Sequence, residues 1–160
     1  MTRRPIALPS AILSAACALA LWPGAGQATS RTQTLRFFDK PVSIKLTHAD
    51  GSVVAPSEST QPQPGDVLDV YSLDYPGNHA HHAKRWTATN HLHCVFGTGE
   101  PSCESHVAIG GSMLVFTGNP GTLANGTGIY QGATGRVTSA KEVKDNATDI
   151  VAKIHLRAGA

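Results

Sequence analysis

The sequence predicts an all-β domain, on three observations. Apolar and polar residues alternate with a period of two in several stretches, and no segment longer than a turn or two carries apolar residues at helical spacing. Glycine, proline and asparagine clusters break those stretches at roughly 8–15-residue intervals, which leaves about seven or eight short strands, the number of a barrel or a sandwich. Length sets the third bound: the chain has 160 residues, and once its first 28 are set aside it is long enough for one core and too short for two.

Those first residues read as an export signal. Arg3 and Arg4 precede an apolar run from Ile6 to Trp22, and Gly26-Gln27-Ala28 offers a small-x-small cleavage site. The run is broken too early by Pro23-Gly24 to span a bilayer. The reading is therefore a signal peptide at 1–28 and one β-domain at 29–160, secreted or periplasmic. Of 13 Lys and Arg, two leave with the signal, and the remaining 11 balance 11 Asp and Glu. A neutral domain lacks the clustered positive charge that draws nucleic acid or anionic membranes, so neither is an expected partner.

Along the domain, Val42, Ile44 and Leu46 share one face of an early strand, preceded by a short strand at 35–38 with Lys40-Pro41 as the break. Residues 57–64 are rich in Ser, Gln and Pro and form a surface excursion. Residues 66–75 run as a strand with apolar side chains on both faces. The next, at 85–96, places Trp86, Ala88, Leu92, Cys94 and Phe96 on one face. Strands at 106–109 and 113–116 flank Gly110-Gly111, and strands at 131–143 and 147–156 flank Lys144-Asp145-Asn146. Cys17 belongs to the signal, which leaves Cys94 and Cys103 as an even pair around a Gly-x-Gly-x-Pro loop. A disulfide across that hairpin is the economical reading in an oxidising compartment, with a reactive or metal-bound thiolate as its rival.

Between 126 and 135 the chain reads Gly126-Thr127-Gly128-Ile129-Tyr130-Gln131-Gly132-Ala133-Thr134-Gly135, four glycines in ten residues. Such a stretch is a strand that bends or lets another backbone approach closely. It lacks the Lys-Ser/Thr of a phosphate loop, and no cofactor is implied. The stretch resembles the G-[ST]-G-x-[YF]-x-G-A-x-G signature of the allene oxide cyclases and, in looser form, of the dirigent proteins, matching at Gly126, Gly128, Tyr130, Gly132, Ala133 and Gly135. The resemblance implies an eight-stranded antiparallel β-barrel with a ligand-sized interior, a small hydrophobic ligand, and a role as an isomerase or cyclase without cofactor or as a dirigent-like binder. The catalytic Glu and Asn of allene oxide cyclases precede a Ser-Pro-Ala-Tyr-Leu element in an early strand. Here that region reads Leu35-Arg36-Phe37-Phe38-Asp39-Lys40-Pro41, so no catalytic residue carries over.

Two sets of residues remain as candidates. Asp69 and Tyr71 lie on one face of the 66–75 strand with Val67, Leu73 and Tyr75. If that face lines the lumen, a carboxylate among aromatics acquires a raised pKa suited to proton transfer. His91 and His93, two apart on a strand, share the face opposite the apolar set and form a half-site for zinc, copper or nickel, with no carboxylate partner evident in sequence. If they hold no metal, they are simply solvated. His79, His81 and His82 complete a run of five histidines in fifteen residues.

Overall fold

A computed structural model describes residues 30–56 and 60–157. The predicted signal at 1–28 lies outside the described residues. Nine strands form in chain order: β1 Arg31–Thr47, β2 Val53–Val54, β3 Val67–Pro76, β4 Ala88–Val95, β5 Ser102–Ile109, β6 Ser112–Thr117, β7 Thr122–Gly126, β8 Thr134–Glu142 and β9 Thr148–Leu156. All but β2 make a closed antiparallel barrel of eight, because β1 pairs with β9 along Arg31–Asp39 and with β3 along Phe37–Thr47. Closure pairs every barrel strand on both sides, though β7 and β8 meet at one residue pair only. The short β2 folds back on the end of β1, Leu46 opposite Val54. Among the described residues no helix is long and apolar enough to cross a membrane.

β1 is longer than its residue pattern predicted, and the reason is a bulge. The expected break at Lys40-Pro41 is instead a register shift between Pro41 and Ser43 within one continuous strand. Proline, lacking an N–H, is tolerated where the ladder is already interrupted. The shift also moves Val42 off the face it was expected to share with Ile44 and Leu46: it is 62% exposed, whereas Leu46 is fully buried. Leu35, Phe37 and Asp39 before the bulge and Leu46 after it are all buried, so one long strand keeps its inward face on both sides of the bend.

The glycine stretch is not a bent strand. β7 ends at Gly126, a 3-10 turn covers Gly128–Tyr130, and β8 begins at Thr134. β7 and β8 share a single pairing, Thr122 with Arg136, so this is the thinnest seam of the wall. The glycines close it by backbone approach. A Cβ on Gly126 would sit 2.3 Å from the Tyr130 carbonyl oxygen, and one on Gly135 would sit 2.3 Å from that of Lys153. The turn folds Tyr130 inward, 1% exposed, where it joins Leu35, Phe37, Leu114, Leu123 and Ile154 in filling one end of the barrel.

Trp86, expected to share a strand face with Ala88 and Leu92, precedes Ala88, the first residue of β4, and is 52% exposed. Cys94 and Cys103 are directly opposed in the β4–β5 ladder, 4.1 Å apart at Cα, and are joined by a disulfide.

Candidate functional site

The end of the barrel away from Tyr130 is open. Side chains leave a cavity of about 1100 Å³, walled by Ile44, Leu46, Leu68, Val70, Leu92 and Ile150 among others. That volume stands just above the roughly 300–1000 Å³ typical of small-molecule sites. Several of these apolar side chains point inward yet are only half-buried, since what they face is open space. The rim carries Glu142, Lys144, Asp145 and the cis Asn119–Pro120 turn, and the Cys94–Cys103 disulfide is part of the wall.

Where the open half meets the packed half, the lumen turns polar. Asp39 on β1 lies directly opposite Asp74 on β3, and the two are 6% and 1% exposed. Asp39 lines the large cavity, and Asp74 borders a small void of about 50 Å³ on the packed side. Asn90 Nδ2 donates to Asp39 Oδ2 at 3.1 Å, and Ser105 Oγ donates to Asn90 Oδ1 at 2.7 Å. This chain crosses from β1 to β4 to β5 and fixes the amide orientation.

Burial pushes the Asp74 carboxyl up to about 8, reinforced by its hydrogen bond to Asp39 and by that neighbour's charge. Two carboxyls facing each other across a buried rung resist double ionisation, so at neutral pH Asp74 keeps its proton. Among the described residues, Asp74 Oδ1 has no hydrogen-bond partner. The site therefore sets a protonated carboxyl beside a second carboxyl group among apolar walls, an arrangement suited to general acid–base chemistry.

The lumen role expected for Asp69 and Tyr71 is corrected. Strand alternation places Leu68, Val70, Ser72 and Asp74 inward, which sends Asp69 and Tyr71 outward. Tyr71 is 44% exposed, and the Asp69 pKa is lowered rather than raised, chiefly by a hydrogen bond from His93 with a second from His91. Period two allowed either face of β3 to be the inner one, because both carry apolar residues. The signal that singles out the inward-facing acids is the acid closing an apolar parity: Leu35, Phe37, Asp39 on β1 and Leu68, Val70, Ser72, Asp74 on β3.

On the outside, the structure brings the two candidate sets together. His91 Nε2 and His93 Nδ1 each lie 2.9 Å from Asp69 Oδ1, and Tyr71 stacks on His91 with ring centroids 4.2 Å apart and planes within 5°. Asp69 is thus the carboxylate partner that sequence did not reveal. Two of the other three histidines of the run are engaged elsewhere: His79 Nδ1 pairs with Asp149, and His82 packs against Phe38 and Tyr75.

No model of a known protein family matches this sequence, and no curated protein matches it. Among solved structures the chain is similar to a pterocarpan synthase dirigent protein, at 14% identity and a TM-score of 0.49, over 82% of this chain and 92% of that one.

Proposed function

We propose that the protein takes a small, largely apolar molecule into the open half of its barrel and directs its isomerisation or cyclisation by proton transfer through Asp74 and Asp39. The observation that carries this reading is a pair of buried carboxyls, Asp39 and Asp74, facing each other where a largely apolar cavity meets the packed half of the barrel. The pair, reached from the cavity through Asp39, first takes a proton from one atom of the substrate and then returns one at another, so it never carries two negative charges. The net change is an isomerisation, so the cycle needs no co-reactant. The walls supply the other half of the task, since confining a flexible molecule to one reactive conformer converts an unselective reaction into a selective one. The glycine signature supports kinship with the allene oxide cyclase and dirigent barrels, and the leader supports action outside the cytoplasm.

The test is a panel of acid-labile unsaturated epoxides and extended enols incubated with the protein in D₂O. Wild type should give one stereoisomer in excess, with deuterium incorporated at a single carbon. Asp74→Asn and Asp39→Asn should each slow product formation by about 10²–10⁴-fold, the range general acid–base groups contribute. Stereochemical ratios identical in wild type and both variants would reduce the protein to a binder.

A further inference from the structure

We propose that the outer face of the barrel carries a divalent transition-metal site formed by Asp69, His91 and His93. Asp69 is directly paired with His93 across β3 and β4, and His91 is two residues along on the same face. The sheet therefore fixes the three backbones before any ion arrives. The donor atoms already converge: two imidazole nitrogens meet one carboxylate oxygen at 2.9 Å each, and all three ligand atoms lie within 4.8 Å of one another.

A first-row cation at about 2.0–2.2 Å from each donor holds its ligands roughly 2.9–4.2 Å apart, depending on the angle at the metal. Small side-chain rotations, without backbone movement, bring the set into that range. All three groups are partly exposed, at 34%, 44% and 26% for His91, His93 and Asp69, so the ion enters from solvent and keeps water in its remaining positions. Tyr71, stacked flat on His91, holds that ring against rotation. On β5, His106 and Glu104 are paired with each other and sit opposite His91 and His93, extending the same patch.

Two imidazoles and one carboxylate suit copper(II), nickel(II) or zinc(II), with copper(II) bound most tightly. They do not suit calcium or magnesium, which take oxygen-rich shells. With the ion bound, each imidazole carries its proton on the nitrogen that faces away from Asp69, and the ion takes the place of the two hydrogen bonds now made to Oδ1. This site lies on the opposite face of the wall from the lumen and is independent of the carboxyl pair inside.

The purified protein is dialysed against copper(II) chloride and, separately, zinc(II) chloride, then against metal-free buffer, and retained metal is measured together with the copper electron paramagnetic resonance spectrum. The expected result is one ion per chain and hyperfine structure from two nitrogens. Removing a partner outside the ligand shell commonly costs about 10–100-fold in affinity, so His91→Ala, His93→Ala and Asp69→Asn should each cost at least about a hundredfold. His79→Ala with His81→Ala should leave retention unchanged. Because the wild-type spectrum reports two nitrogens directly, the proposal does not depend on every variant folding. No retained metal, retention indifferent to the three substitutions, or loss only with the His79 and His81 changes would overturn it.

Discussion

Asp39 and Asp74 face each other across neighbouring strands with both carboxyls turned into the barrel. Their proximity makes the protonation of the lumen a property of the folded state, and it has a measurable sign. The unfolded Asp74 releases its proton near 3.8, whereas the folded one holds it to about 8. Between those values the native chain binds the extra proton. Its contribution to stability is fully present below the lower value and is lost as pH rises toward the higher one, at up to about 1.4 kcal/mol per pH unit for a single proton. Asp74→Asn should remove this dependence. Carboxylates such as Asp66, whose pKa is lowered first by the Gln63 backbone N–H and then by His48, act in the opposite sense in acid, so the quantity to read is the difference between wild type and variant. Urea midpoints from pH 4 to 9 should show the variant gaining on wild type as pH rises. Parallel curves would mean that Asp74 titrates normally.

The disulfide joins residues nine apart in sequence, at positions the ladder already holds opposite one another. On chain-entropy grounds, removing so short a cross-link costs about 2–3 kcal/mol. Cys94→Ala with Cys103→Ala should therefore lower the urea midpoint without abolishing the fold, and wild type should match that variant under reducing conditions. Unfolding on reduction would show that the β4–β5 hairpin depends on the bond for its register.

Gly126 and Gly135 are close to backbone carbonyls that cannot rotate away. Substituting alanine at either should destabilise by about 1–3 kcal/mol, the usual cost of forcing extra volume into a packed site. Gly99 has an ordinary backbone conformation, and an added methyl there would meet nothing within 4 Å, so Gly99→Ala should fall within about 0.5 kcal/mol of wild type. Thermal unfolding of the three variants separates steric need from a general preference for glycine.

Much of the fold was legible because strand alternation and turn chemistry are local. The hairpins around Gly110-Gly111 and Lys144-Asp145-Asn146 and the Cys94–Cys103 pairing follow from neighbouring residues alone. What was not legible depended on parity. Leu68, Val70, Ser72 and Asp74 alternate with Val67, Asp69, Tyr71 and Leu73, and only closure of the barrel decides which set faces in. That ambiguity made Asp69 look like the lumen acid when the lumen acid is Asp74. The bulge at Val42 hid the continuity of β1, and with it the inward turn of Asp39. Asp69 joins His91 and His93 only through the β3–β4 register, a pairing across about two dozen residues that no local pattern encodes.

A binding chamber in the open half of the barrel should be visible by equilibrium titration with an environment-sensitive apolar probe such as N-phenyl-1-naphthylamine. Val70 lies mid-wall, paired with Ile44 on one side and Leu92 on the other, so a tryptophan there projects across the chamber. Wild type should bind the probe saturably at about one per chain. Val70→Trp should weaken it by at least about tenfold, or about 1.4 kcal/mol, and Val42→Trp on the exposed bulge should not change it. Absence of saturable binding by wild type, or equal affinity in Val70→Trp, would show that the open half is not a ligand chamber.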